Sequence, residues 1–174
     1  MEFEAFLETF KDQAIGYGPH FQIPNEVYFK MLKKCKDKRV ICTINHAVTL
    51  HSALLQKSGL YFILLNQPLV KKQKWVIGDT LIIHLAPDDS TYGMPISEEF
   101  QEVLASDPEG SDWFHQLTPG KQRSLLHVIN KIKSSQLKIE RSFVIMEHLK
   151  RQQGKLDYQI LNQDIKAFNE KMSF

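Results

Sequence analysis

Residues 117–155 carry nine Lys/Arg against two Glu, a local net charge of +7 (nine minus two) in a chain of 174 residues whose formal net charge is only +2. Side chains of this kind bind phosphate groups, nucleic acid or acidic protein surfaces through long-range attraction and charge-assisted hydrogen bonds. Arg123, Lys131, Lys133, Lys138, Arg141 and Arg151 are therefore the candidate anion-binding or partner-binding set. The expected partner is an acidic protein, a small anion or nucleic acid. The competing interpretation is an ordinary solvated helix face whose long stems cover apolar core. Few aromatic residues interleave with these charges, which argues against stacking on single-stranded bases.

Histidine supplies the other candidate chemistry, because its neutral ring can take a proton or a metal ion near neutral pH. His46, His51 and His84 fall on or beside expected strands and form a candidate pocket set. There is no HExxH spacing and no Cys-x-x-Cys, so no metal site and no cofactor is expected. Cys42 and His46 would share a strand face but stand about 13 Å apart at roughly 3.3 Å per residue, too far for a thiolate–imidazole pair. Asp88-Asp89 reads as turn chemistry and Glu98-Glu99 as helix-start chemistry. Gly16-Tyr17-Gly18 lacks a third glycine and runs into Pro19, so it is no dinucleotide loop. With no G-x-S-x-G elbow either, no catalytic residues are assigned, and an enzyme using the histidines ranks third among the functional readings.

The elements that must position these residues change character midway. Residues 1–93 read as short strands (2–5, 20–23, 39–46, 48–54, 60–65 and 80–85) punctuated by Gly, Pro and Asn. Among them lie a helix capped by Asn25 and a helical turn at 71–75. Close-spaced strands of this kind suggest a small β-barrel or sandwich, and closure of a barrel would hide the strand edges. From residue 94 the period becomes helical. Ser97 caps a helix bearing Phe100, Val103 and Leu104, and Thr118-Pro119 starts another bearing Leu125, Val128, Ile129 and Ile132. A break at Ser134-Ser135 precedes a third, with Ile139, Phe143, Met146 and Leu149 on one side and Lys138, Arg141, His148 and Arg151 on a polar stripe. Gly154 stops it. The fold class is α+β: a β-barrel domain at 1–93, a helical region at 94–155, and a tail at 156–174 expected to form an amphipathic helix.

Composition fits this outline. A hydrophobic fraction of 43% with eleven Phe supports a packed core, and two cysteines are too few for a disulfide framework. The acidic start MEFEAFLETF has no positive n-region and is no signal peptide. The longest apolar run, 60–65, is far short of the roughly 20 residues that span a bilayer. A soluble, cytoplasmic protein is expected.

The order Ile96-Ser97-Glu98-Glu99-Phe100, Val103-Leu104, Asp107-Pro108, Phe114, Leu117-Thr118-Pro119, Arg123, Ile129, Lys133, Arg141, Leu149 and Gly154-Lys155 resembles the YdeI/OmpD-associated family of bacteriocin-protection proteins. Phe21-Gln22-Ile23-Pro24, Gly59-Leu60-Tyr61 and Gly78-Asp79-Thr80 resemble the domain of unknown function numbered 1905. That resemblance implies a double-split barrel with an AbrB-like shape. Together they imply a bacterial, non-enzymatic binding or protective protein, with a nucleic-acid-associated or regulatory role as the alternative. Three positions depart from the helical family. Val128 stands where it usually has Trp, and Leu137-Lys138 where it usually has Thr-Arg, so Lys138 offers a point charge in place of a bidentate fork.

Overall fold

The computed structural model describes residues 1–10 and 18–172. Gly16 and Tyr17, part of the rejected dinucleotide loop, lie outside the described residues. The architecture is α+β and separates into two compact units, residues 1–93 and residues 94 onward.

In the first unit, strands β1 (Glu2–Phe6), β3 (Arg39–Ile44), β4 (Val48–Ala53) and β7 (Thr80–Pro87) form one antiparallel sheet in the order β1-β7-β3-β4. Strands β2 (His20–Gln22), β5 (Leu55–Lys57) and β6 (Leu60–Leu64) form a second, ordered β2-β6-β5. Alternation dictates the facing. Val40, Cys42 and Ile44 on β3 and Leu81, Ile83 and Leu85 on β7 are buried, while Ile82 and His84 point outward. Asn45 and His46 take left-handed φ values of 50° and 54° in the three-residue connection 45–47 between β3 and β4, where the Ala47 N–H donates to the Ile44 carbonyl at 3.1 Å.

The sheets meet at two corners. Glu8, just beyond β1, forms a bridge to His20 of β2. Buried Leu54 carries the chain from β4 into β5, its N–H donating to the Lys38 carbonyl at 2.9 Å. The ladders are thus two antiparallel sheets joined at corners. Strand β5 was missed because 55–57 is a three-residue piece with no alternation to read.

Two helices accompany the sheets. Helix α1 (Asn25–Leu32) buries Tyr28 and Met31, with Tyr28 stacked on Tyr61 at 4.0 Å. Pro24, not Asn25, precedes its first turn and accepts from the Tyr28 N–H. Helix α2 (Gln67–Gln73) begins four residues before the expected turn, because Asn66 Oδ1 accepts the Leu69 N–H at 2.7 Å.

The second unit contains α3 (Glu98–Ser106), α4 (Pro108–Gln116), α5 (Pro119–Asn130), α6 (Ser135–Arg151) and α7 (Tyr158–Met172). Ser97 caps α3 as expected, its Oγ accepting from Phe100 N–H, while Asp107 Oδ1 accepts from Gly110 N–H and Ser134 Oγ from Leu137 N–H. Helix α6 is central and packs against α3, α4, α5 and α7. Ser142, Val144, Ile145, Met146, His148 and Leu149 are all buried, so nearly its whole circumference is enclosed over two turns. Gly110 lets α4 approach closely, since a Cβ there would lie 2.9 Å from the Met146 sulfur. Gly154 has φ of +76°, and a Cβ would sit 2.6 Å from the Trp113 ring. It is a stop that no other residue fills easily. Among the described residues no helix is long and apolar enough to cross a membrane.

Candidate functional site

The basic residues proposed from sequence are spread over α5, the α5–α6 connection and α6. Lys138 Nζ lies 3.4 Å from Glu99 on α3, and Arg151 pairs with Asp164 on α7. Both sit on α6, thirteen residues or about 20 Å apart along the axis. Arg141 is half-buried, and desolvation lowers its guanidinium pKa. Arg123 is half-buried on α5. Lys131 and Lys133 are exposed in the connection between α5 and α6. Lys138, Lys150 and Arg151 are thus matched by carboxylates from α3, the α3–α4 junction and α7, and a phosphate at those positions would have to displace them.

His148 departs most from the polar stripe expected for it. Its side chain is fully enclosed, with Nδ1 2.9 Å from Asp164 Oδ2 and Nε2 facing the Asp157 N–H at 3.4 Å. An N–H aimed at Nε2 requires a lone pair there, which places the ring proton on Nδ1, donated to Asp164. Asp157 in turn accepts the Gln159 and Ile160 N–H groups at the start of α7. Desolvation would raise the Asp164 pKa, but Arg151 and His148 outweigh it and hold the carboxyl below its usual range. The cluster ties α7 to α6.

The strand histidines divide between two places. His46 Nδ1 lies 3.9 Å from Glu2, and His84 stands opposite Glu2 in register on the outer face of the sheet. His51 Nδ1 lies 2.8 Å from Asp88, which is buried and also accepts from Ser90 Oγ at 2.6 Å and Ser90 N–H at 3.1 Å. Burial opposes ionisation of Asp88, yet the Ser90 and His51 hydrogen bonds prevail and lower its pKa. His51 and His84 are two strands and one row apart, roughly 12 Å between backbones at standard spacings. Among the described residues no group of three or more His, Cys, Asp or Glu could hold a metal ion. Both cysteines are free, and burial pushes the Cys42 thiol up to about 12, which keeps it unreactive.

The surface of α6 carries a residue the sequence misassigned. Phe143 was placed on the packed stripe because it is four residues from Ile139, but it is 44% exposed. It separates two grooves. One, of about 320 Å³, runs between α6 and α7 past Val144, Glu147 and Phe168. The other, of about 480 Å³, runs between α3 and α6 past Glu98, Glu102, Val103 and Ile139. Leu137, one turn and a half earlier on α6, is also exposed. The sequence held one usable signal: seven apolar residues on α6 are more than one side of a helix can bury.

Residues 94–152 match the family model described as Bacteriocin-protection, YdeI or OmpD-Associated. The match spans α3 through the end of α6, the segment on which the resemblance was read, and leaves residues 1–93 and all of α7 outside it. No curated protein and no solved structure matches the chain significantly.

Proposed function

We propose that this chain is a non-enzymatic binding protein of the protective type, acting through the exposed surface of its helical unit. The observation that carries this reading is the coincidence of two facts. The segment 94–152 is similar to bacteriocin-protection proteins, and within it α6 presents an unpaired aromatic ring between two grooves. An exposed aromatic flanked by concave surface is the arrangement that anchors a partner, because the ring fills a pocket at small entropic cost. The histidine arrangements support a binding reading as well. His148 and Asp164 hold two helices together, and His51 and Asp88 hold the end of β7, which explains both dyads without a substrate. A bacterial, cytoplasmic and soluble setting belongs to the same proposal.

The test is survival of a bacteriocin-sensitive bacterium expressing the full chain under challenge with a panel of bacteriocins. Wild type should raise survival at least tenfold against one of them, and F143S, checked for native helical content, should lose most of that gain. Wild-type expression that protects against none of the panel would overturn the reading.

A further inference from the structure

We propose that the α3–α6 groove is a docking site for a cationic amphipathic helix, a partner segment with Lys or Arg at i and i+4 beside an apolar stripe. The inference rests on the binding reading above and specifies its partner chemistry.

The floor of the groove is apolar. Val103 from α3 is buried, Ile139 from α6 is half-buried, and the Phe143 ring stands exposed at its edge. The α3 wall is acidic, with Glu98, Glu99 and Glu102 all lining the groove. Their environments differ. Glu99 is half-buried and paired with Lys138 at 3.4 Å. Glu98 and Glu102 are exposed, and neither has a basic partner among the described residues. They sit four apart, neighbours on one helix face, where like charges repel each other.

The positive end of the α3 dipole accounts for acids in the first turn, where Glu98 and Glu99 lie. Glu102 is in the second turn, beyond that influence. A cation there would relieve the repulsion and satisfy both carboxylates. Basic residues one helical turn apart match the Glu98–Glu102 spacing of about 6 Å. The apolar stripe of the same helix would then cover Val103, Ile139 and Phe143, the helix-in-groove mode of recognition. An acidic partner is excluded by the same charges, as is a bare phosphate chain.

The probe is a synthetic, fluorescein-labelled helix of Lys and Leu in amphipathic register, with a Glu/Leu counterpart as control, titrated against the full chain by anisotropy. Binding of the Lys/Leu helix should weaken steeply with salt and shift the amide signals of α3 and of α6 around Phe143. E98Q/E102Q should weaken it about tenfold. F143S should weaken it about as much while F143L restores it, separating contact from fold. E98K/E102K should abolish it and admit the Glu/Leu helix. Equal binding of both peptides, indifference to these substitutions, or signal shifts confined to another face would each overturn the proposal. So would loss of a self-associated species in E98K/E102K by sedimentation, because the occupant would then be a second copy of the chain. The two proposals fail separately: protection without peptide binding removes the groove assignment, and peptide binding without protection removes the protective role.

Discussion

His148 shows how a single residue can be chemically suggestive and structurally committed. An imidazole paired with a carboxylate resembles a general base, but both ring nitrogens face hydrogen-bonding groups and the side chain has no exposure. Replacing it with Leu would preserve much of the volume. It would also leave the Asp157 N–H without an acceptor and remove one of two cations or donors facing Asp164. A cost of about 2–3 kcal/mol is expected, the range for leaving buried polar groups unpaired. Amide hydrogen exchange should locate it, with α7 losing protection well before α3 to α5. A uniform loss across the unit would contradict the assigned role. Phe143 lies at the other extreme. Nothing in its spacing separates it from Ile139 or Met146, and only the positions of α3 and α7 around α6 decide which apolar side chains are enclosed.

At the scale of elements, β2 carries a pH-sensitive contact. His20 is buried, stacked on Phe10 at 3.9 Å with an edge contact to Phe62, and desolvation lowers its pKa despite the Gly18 carbonyl and Glu8. A depressed folded-state value means the unfolded chain takes up the proton first. The stabilisation is therefore complete above the ordinary histidine value of about 6.5 and diminishes as pH falls below it toward the folded value. Amides of β2 and β6 should exchange progressively faster from pH 7 toward pH 5, and H20F should flatten that dependence. An unchanged slope in H20F would place the titration elsewhere.

Much of the element pattern was legible beforehand, and for a physical reason. Helix caps such as Ser97 and strand alternation such as Val40-Cys42-Ile44 are local properties of the backbone and its nearest neighbours. The exceptions had non-local or weak causes. The start of α2 depends on the Asn66 side chain folding back onto Leu69, and β5 exists only because β6 pairs with it.

For the molecule as a whole, three aspartates placed in both units have lowered pKa values. Burial of Asp88 is outweighed by Ser90 and His51, burial of Asp107 by Gly110 and Lys150, and burial of Asp164 by Arg151 and His148. Each contributes stability that is present above the unfolded carboxylate value of about 3.9 and is lost as pH falls through the lower folded value. Thermal midpoints of both units should hold at mildly acidic pH, apart from the His20 effect in the first unit, and drop steeply below about pH 4. D164N should shift that drop in the second unit alone, as followed by near-ultraviolet signals of Trp113 against Trp75. An identical profile in the variant would remove Asp164 from the account.

The sequence alone determined the α+β class, the change from strands to helices near residue 94, most helix starts, the absence of a metal-binding spacing and the family likeness of 94–152. These follow from short-range steric and hydrogen-bonding preferences, which the chain carries wherever it goes. The fate of its charges was decided only by tertiary structure. Lys138, Arg151 and His148 looked like one basic stripe because sequence counts a residue without its partners. Folding brought Glu99 and Asp164 against them from elements 39 and 13 residues away and left Glu98 and Glu102 beside Phe143 with no basic partner among the described residues. Electrostatic interaction depends on distance and dielectric, neither of which is written along the chain. The surface that began as a basic hairpin is therefore acidic and apolar along its groove with α3.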